Sequence, residues 1–243
     1  MYGLIGRKLT HSYSAILFEE KFGKKYPFEL IEIDNIIDLN RYIDHHPDLR
    51  GLSVTIPYKK EIIPYLTTID PIAEECGAVN TIRINKVKGK TELHGFNTDF
   101  YGFYESYKKY FPAENKNAMI LGTGGASVAV AYALRQAGFR VTFISRLHKS
   151  ESILSYKEIT DNLIRGNNLI INTTPLGMFP DIYASPDICY SAIGPQHVAI
   201  DIIYNPEVTE FMQKCINQGA KAYNGMSMLK KQAEKAWEIW GLI

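Results

Sequence analysis

Short apolar runs alternate along this chain with longer stretches in which apolar residues recur at helical spacing, and that alternation predicts α/β architecture. Tyr2 to Ile5 and Phe28 to Ile33 read as strands, with a helix from about Ser14 to Phe22 between them. Gly51 to Thr55 is another strand, closed by Pro57, and a helix follows from near Tyr58. Residues 77–98 pattern as two strands joined by the turn-like stretch Asn85 to Lys90. Asp99 is placed to cap a helix running to about Phe111, and Pro112 sits just past its end.

A polar interval, Pro112 to Asn117, precedes a second pattern. The run AMILGTGGASVAVAYALRQAGFRVTFISR reads as strand, glycine turn, helix and strand, the opening unit of a Rossmann-type domain. Leu169 to Asn172 and Val198 to Ile202 are further buried strands, and Met226 to Trp240 is strongly helical. The fold expected is α/β with two domains. Residues 1–98 form an α/β unit with a mostly parallel sheet, completed by the C-terminal helix in 226–243, and residues 99–225 form a Rossmann-like dinucleotide-binding unit. The boundary is expected inside the helix over 99–111.

Composition narrows the partners. With 243 residues, 46% hydrophobic and 22% charged, the chain is an ordinary globular one, and a net charge of +1 gives no basic field for nucleic acid or anionic membrane. Any anion must be recognised by local residues. Three cysteines, Cys76, Cys189 and Cys215, form no C-x-x-C pair, so no disulfide framework or metal site is expected. The opening MYGLIGRKLTHS has too short an apolar run for a signal peptide, and no run of about 18 apolar residues follows. A cytoplasmic protein acting on a small molecule is the expectation, as a monomer or homodimer.

The first candidate chemistry lies in the glycine turn. Gly122, Gly124 and Gly125, followed by Ala126, stand where strand 118–121 must turn into a helix. Glycine there lets the backbone approach a pyrophosphate, and the helix N-terminus offers free N–H donors. Ser127 takes the place of the third glycine of G-x-G-x-x-G. A tight structural turn without ligand is the plainer alternative. The cofactor type is read from the end of the following strand, Ser145-Arg146-Leu147-His148-Lys149. An NAD site carries an acidic residue there, about 20 residues after the glycines, for the ribose hydroxyls. Arg146 instead can fork onto a ribose phosphate or stack on adenine, and Lys149 adds charge, so NADP is favoured. The plainer alternative is that both are solvated surface cations.

The first half carries polar constellations at expected strand ends: His11-Ser12-Tyr13-Ser14, the SVTIPYK stretch at 53–59, GAVNT at 77–81 and GFNTD at 95–99. Open α/β sheets bind ligands at such ends. Each has a bland reading alone: Ser12 and Ser14 suit helix caps, Asn80 a turn, Asp99 an N-cap and Lys59 a surface cation. Together they supply an amine, a carboxylate and hydroxyl donors, a set suited to a small polyhydroxylated acid.

In the order and spacing of these motifs the sequence resembles the shikimate dehydrogenase (shikimate/quinate dehydrogenase) family over essentially its whole length. The resemblance implies that Ser12 and Ser14 hold the substrate carboxylate, that Lys59 of Val54-Thr55-Ile56-Pro57-Tyr58-Lys59 is the catalytic lysine and that Thr55 touches substrate. It also implies Asn80 as a substrate ligand and Asp99 as the partner of Lys59. Asn172-Thr173-Thr174-Pro175-Leu176-Gly177-Met178 is similar to the family's cofactor-lining loop, with Thr173 in it, and Asp201-Ile202-Ile203-Tyr204-Asn205-Pro206 to its D-x-x-Y-x-P stretch, with Tyr204 near substrate. Gly225, Met228 and Leu229 match the loop that begins the last helix, where Gln232 would reach substrate hydroxyls. The implied activity is NADPH-dependent reduction of 3-dehydroshikimate to shikimate. Departures from the pattern are Ala15, Ser53, Val128 and Leu147, the last removing a threonine hydroxyl from the phosphate side. Rival readings are an NAD-linked quinate/shikimate enzyme, a non-catalytic nucleotide sensor and a partner-binding protein. An acidic residue in place of Arg146 would favour the first, and loss of Lys59 or Asp99 the second.

Overall fold

The computed structural model describes every residue except Thr10, His11, Lys88 and Lys149. His11 of the first polar motif and Lys149 of the expected cofactor group therefore lie outside the described residues. The chain forms two compact units, Met1–Gly102 with Lys230–Ile243, and Phe103–Leu229.

The first unit opens with β1 (Tyr2–Gly6), α1 (Tyr13–Phe22), β2 (Phe28–Glu32), α2 (Leu39–His45), β3 (Gly51–Val54) and α3 (Tyr58–Glu61). It continues through β4 (Thr68–Ile69), α4 (Pro71–Cys76), β5 (Thr81–Val87), β6 (Lys90–Phe96) and the start of α5 (Asp99–Tyr107). The sheet order is β2-β1-β3-β5-β6-β4. Pairings β1/β2, β1/β3 and β4/β6 are parallel, whereas β3/β5 and β5/β6 are antiparallel. β1 is buried along its whole length because helices cover a central parallel strand on both faces.

The polar stretch expected as a turn at 85–90 is mostly strand. The β5/β6 ladder runs out to Val87 opposite Lys90, so Asn85 and Lys86 pair with Glu92 and Thr91. These residues are polar because the far end of the hairpin is exposed, and periodicity cannot separate that from a turn. The helix expected to reach Phe111 stops at Tyr107 and tightens into a 3₁₀ turn over Lys108–Tyr110. Pro112 disfavours helical geometry at the residue before it, and Phe111 is extended with ψ 134°.

Ile5, Leu52, Val54, Tyr58, Ile82 and Ile84 belong to the main core of this unit. A second aromatic cluster joins Tyr2 and Phe18 to Trp237 and Trp240, which come from the end of the last helix, α9 (Met226–Ile239), and the residue after it. Tyr2 and Trp240 stack with ring centroids 5.1 Å apart, and Trp240 Nε1 donates to the Ile82 carbonyl at 2.9 Å. Gly51 leaves the room that the indole fills; any side chain there would collide with it.

The second unit contains β7 (Asn117–Leu121), α6 (Gly125–Gln136), β8 (Arg140–Ser145), β9 (Ile153–Ser155), α7 (Asp161–Arg165), β10 (Leu169–Asn172), β11 (Val198–Asp201), α8 (Glu210–Asn217) and β12 (Lys221–Tyr223). All pairings in its sheet are parallel, in the order β12-β11-β10-β7-β8-β9. The chain starts in the middle at β7, builds one half outward to β9, and returns to β10 on the other side of β7. That is the doubly wound arrangement, with its topological switch point between β7 and β10. Its core includes Met119, Leu121, Ile144, Ile170, Ala199 and Phe211.

Candidate active site

The topology of the first sheet explains how distant residues meet. β3 and β6 point the same way and β5 runs against both. The ends of β3 and β6 and the start of β5 therefore lie at one edge of the sheet, and Thr55, Lys59, Asn80 and Asp99 all emerge there. Ser12 and Ser14 follow the carboxyl end of β1, which is parallel to β3.

Lys59 is fixed from its backbone outward. Its neighbour Tyr58 is fully buried and donates its hydroxyl to the Ile33 carbonyl. The Lys59 carbonyl accepts from Val79 N at 2.7 Å, tying the short helix α3 to the 77–81 stretch. The side chain reaches Asp99, with Nζ to Oδ2 at 2.5 Å across a separation of 40 residues. Side-chain exposure is 16% for the lysine and 3% for the aspartate, so the pair is largely shielded and its attraction only weakly screened.

Asp99 does not cap its helix. Asn97 does, its side-chain oxygen accepting from Phe100 N at 3.2 Å, which leaves both Asp99 oxygens for other partners. The carboxylate stands in the first turn of α5, where the helix dipole favours negative charge. Asn80 Nδ2 donates to Asp99 Oδ1 at 2.9 Å, to Thr98 Oγ1 at 3.1 Å and to Gln232 Oε1 at 3.3 Å, while its own oxygen accepts from Thr98 N at 2.7 Å. The structure thus brings Lys59, Asp99, Asn80 and Gln232 into one connected group. Cys76 lies close enough for the Asp99 charge to act on its thiol, which burial first and that charge second push up to about 12. It is no thiolate nucleophile.

Ser12 occupies the N-cap position of α1, extended at φ −109°, but its side chain makes no capping hydrogen bond. Ser14 is half-buried in the first turn. Thr55 is half-buried, its N–H donating to the Ile5 carbonyl at 3.0 Å and its carbonyl accepting from Tyr58 N at 2.9 Å.

In the second unit the glycine turn sits at the switch point. Gly122 has φ +108°, a left-handed-side conformation that glycine alone adopts without strain, and a Cβ there would stand 2.8 Å from Thr173 Oγ1. Thr173 follows β10 and donates its hydroxyl to the Leu121 carbonyl at 2.7 Å, so the two loops flanking the switch point are bonded together. Gly124 is the N-cap of α6, and a Cβ there would meet open space. A glycine that packing does not demand, at the start of a 12-residue helix, fits an approaching anion. Gly125 and Ala126 open the helix. Ser127, in place of the third glycine, is fully buried and returns its hydroxyl to the Gly124 carbonyl at 2.6 Å. Ser145 is buried at the end of β8, and Arg146 just beyond is exposed. His148 is engaged by Glu158 at 3.0 Å.

Two expected residues have another tertiary duty. Gly225 packs its α-carbon against the Ile202 backbone so closely that a Cβ would overlap the carbonyl. Met228 is buried at the start of α9. Tyr204 is half-buried, three residues beyond β11. One group escaped the sequence reading as a site: Asp201, at the end of β11, is fully buried and is the register partner of Asn172 on β10. A charged residue closing an apolar run beside an amide-bearing one was the available signal. Among the described residues, no group of three or more His, Cys, Asp or Glu could hold a metal ion, and no helix is long and apolar enough to cross a membrane.

A doubly wound sheet with a glycine turn at its switch point, accompanied by an α/β unit that carries a shielded amine–carboxylate pair, defines the class: a two-domain dinucleotide-binding protein. Residues 4–82 match the family model described as the shikimate dehydrogenase substrate binding domain. The shikimate dehydrogenase (NADP(+)) of Clostridium beijerinckii is 38% identical over 98% of this chain and 91% of that protein. The crystal structure of shikimate dehydrogenase 1 from Peptoclostridium difficile superposes with a TM-score of 0.84 at 34% identity, covering 99% of this chain and 90% of its own. The Thermus thermophilus shikimate 5-dehydrogenase, solved in complex with NADP(H) and shikimate, gives 0.85 at 29% identity, covering 100% and 93%. The chain belongs to the shikimate dehydrogenase family.

Proposed function

We propose that this protein catalyses the NADPH-dependent, reversible reduction of 3-dehydroshikimate to shikimate, the shikimate-pathway step on the way to chorismate and the aromatic amino acids. The observation that carries the reading is the Lys59–Asp99 contact at 2.5 Å, an amine and a carboxylate held at one sheet edge by otherwise unrelated segments. Residues 1–98 with the helix in 226–243 are assigned to the substrate, and residues 99–225 to the cofactor. The protein works in the cytoplasm as a monomer or homodimer, with no nucleic-acid or membrane partner.

When bound, NADPH supplies hydride to the ketone carbon. The Lys59 ammonium donates a proton to the ketone oxygen as negative charge develops there, and its own charge stabilises that oxygen before transfer. Asp99 fixes the position of Nζ, while Asn80 occupies the other carboxylate oxygen and so limits how the carboxylate can turn. The amine is reprotonated from water. In the oxidative direction the same nitrogen takes the proton from the shikimate hydroxyl. Thr55, Asn80, Gln232 and Tyr204 are assigned to the substrate, with Ser12 and Ser14 on its carboxylate. Gly122, Gly124, Gly125, Ala126, Thr173, Gly225 and Met228 are assigned to the cofactor's diphosphate and nicotinamide portion, and Ser145, Arg146 and Lys149 to its adenosine phosphate.

The reading is tested by following nicotinamide absorbance with purified protein, shikimate and NADP. Turnover with NADP and shikimate, well above that with NAD or with quinate, supports it. A well-folded protein with no absorbance change under any of these pairs rejects it. In the same assay Ser12→Ala and Ser14→Ala should each raise KM for shikimate by about tenfold, since a hydrogen bond to a charged group is lost far from the reacting carbon. Turnover at saturation should change little, and an unchanged KM in both variants would remove the carboxylate assignment. Arg146→Ala should raise KM for NADPH by about tenfold while leaving KM for NADH near its original value, because only the former carries the extra phosphate. Equal effects on both cofactors would assign Arg146 to adenine stacking instead.

A further inference from the structure

Asp201 is a fully buried acid at the end of β11, and nothing in the chemistry above uses it. Its carboxylate gathers hydrogen bonds from three different residues. Thr209 Oγ1 donates to Oδ2 at 2.6 Å, Ile203 N to Oδ1 at 3.0 Å, and Asn172 Nδ2 to both oxygens at 3.2 Å. These donors come from different segments. Asn172 ends β10, Ile203 lies two residues past the end of β11, and Thr209 caps α8 through Met212 N.

The network extends from there into the two loops that leave the sheet at this point. The Asn172 side-chain oxygen accepts from Thr174 N at 3.0 Å and from Thr174 Oγ1 at 2.6 Å, and Asn172 Nδ2 also reaches the Leu176 carbonyl at 3.4 Å. Phe179 N then donates to the Asn205 carbonyl at 3.2 Å, closing the second connection between the loops. Thr173 lies in one loop and Tyr204 in the other. A carboxylate is the one side chain of this size that accepts from all these donors at once. A carboxamide would set an N–H₂ group against one of them, and a buried donor facing a donor loses both bonds. Burial raises the Asp201 carboxyl, to about 6 even with the bonds from Thr209, Ile203 and Asn172 pulling the other way, and a ring of donors with no acceptor among them is the surrounding that suits its ionised form. The titratable groups whose interaction with it is felt, Tyr107, Tyr190 and Cys215, are all neutral at neutral pH, burial having raised each of them.

We propose that Asp201 is a positioning residue, whose carboxylate locks the loop carrying Thr173 to the segment carrying Tyr204 and thereby sets the places of both for cofactor binding and turnover. The inference rests on the assignment of those two residues to the NADP-dependent reaction. Asp201→Asn keeps the volume and removes one acceptor. In the full-length protein it should raise the NADPH dissociation constant, read by nucleotide fluorescence, by about tenfold, and lower kcat per folded molecule by a similar factor. Thr209→Val removes one donor and serves if Asp201→Asn does not fold; it should move both quantities in the same direction, and Thr209→Ser should restore them by returning the hydroxyl. A role in stability alone predicts a lower melting temperature with NADPH affinity and turnover per folded molecule within twofold of the parent. That result in either variant overturns the proposal. Parent protein that binds no NADPH and turns over no shikimate would instead reject the functional reading, and the inference falls with it.

Discussion

Lys59→Ala is expected to lower kcat for shikimate oxidation by about 100-fold or more, with a much smaller change in KM for shikimate. The reasoning is geometric before it is chemical. Lys59 Nζ is held at 2.5 Å from Asp99, and Asp99 is held in turn by Asn80, so the amine is fixed by a chain of bonds rooted in the sheet. Such a group loses little orientational freedom when it meets substrate, which is where positioned acid–base groups gain their advantage over water. Alanine removes the proton carrier and leaves a buried carboxylate with its amide partner but without its cation. Some stability is lost as well, because a buried charge without a counterion is costly. Turnover should therefore be expressed per folded molecule, with folding checked by circular dichroism. Turnover within about threefold of the parent would remove Lys59 from the proton path, since general acid–base groups contribute far more than that.

Gly225→Ala is expected to destabilise the protein by about 2–3 kcal/mol, the range of core overpacking, and to lower the melting temperature by about 5–10 °C. The strain is steric. A Cβ at this position overlaps the Ile202 carbonyl, a backbone atom that cannot rotate aside as a side chain can. Gly225 N donates to the Ile203 carbonyl at 2.8 Å, and its own carbonyl accepts from Leu229 N at 2.9 Å, so the segment is anchored on both sides of the contact. The assignment of Gly225 to the cofactor, taken alone, predicts something different: a weaker NADPH affinity with stability intact. Calorimetry together with a cofactor titration separates the two. An unchanged melting temperature would mean that the 202–225 contact relaxes freely, and the glycine would then be there for the cofactor.

Much of the fold was legible from periodicity. β1, β7, β10 and β11 are short, mainly apolar runs, with a polar residue only at an end (Asn117, Asn172 and Asp201), and they appear where the pattern puts them because burial on both faces favours apolar residues along the strand. The hairpin end at 85–90 and the last turn of α5 were not legible. Polar residues on an exposed strand look like turn residues, and a helix's final turn is decided by the proline that follows it.

The candidate chemistry divides the same way. Lys59, Asn80 and Asp99 could be picked out by residue type near strand ends, but Asp99 was equally a helix cap, and only the bond from Phe100 N to Asn97 shows that another residue does that work. Asp201 was visible as a letter in a motif and invisible as a hub, since its donors come from residues 29, 8 and 2 positions away.

By itself, then, the order of residues fixes what is local: which runs are strands, where glycine permits a turn toward a phosphate, and which amines, acids and hydroxyls are on offer. Whether a given acid caps a helix, clamps two loops or holds a lysine is settled by what folding places beside it. Those choices depend on which donors and acceptors lose water together, and that is a property of segments far apart in the chain brought into a common dry interior.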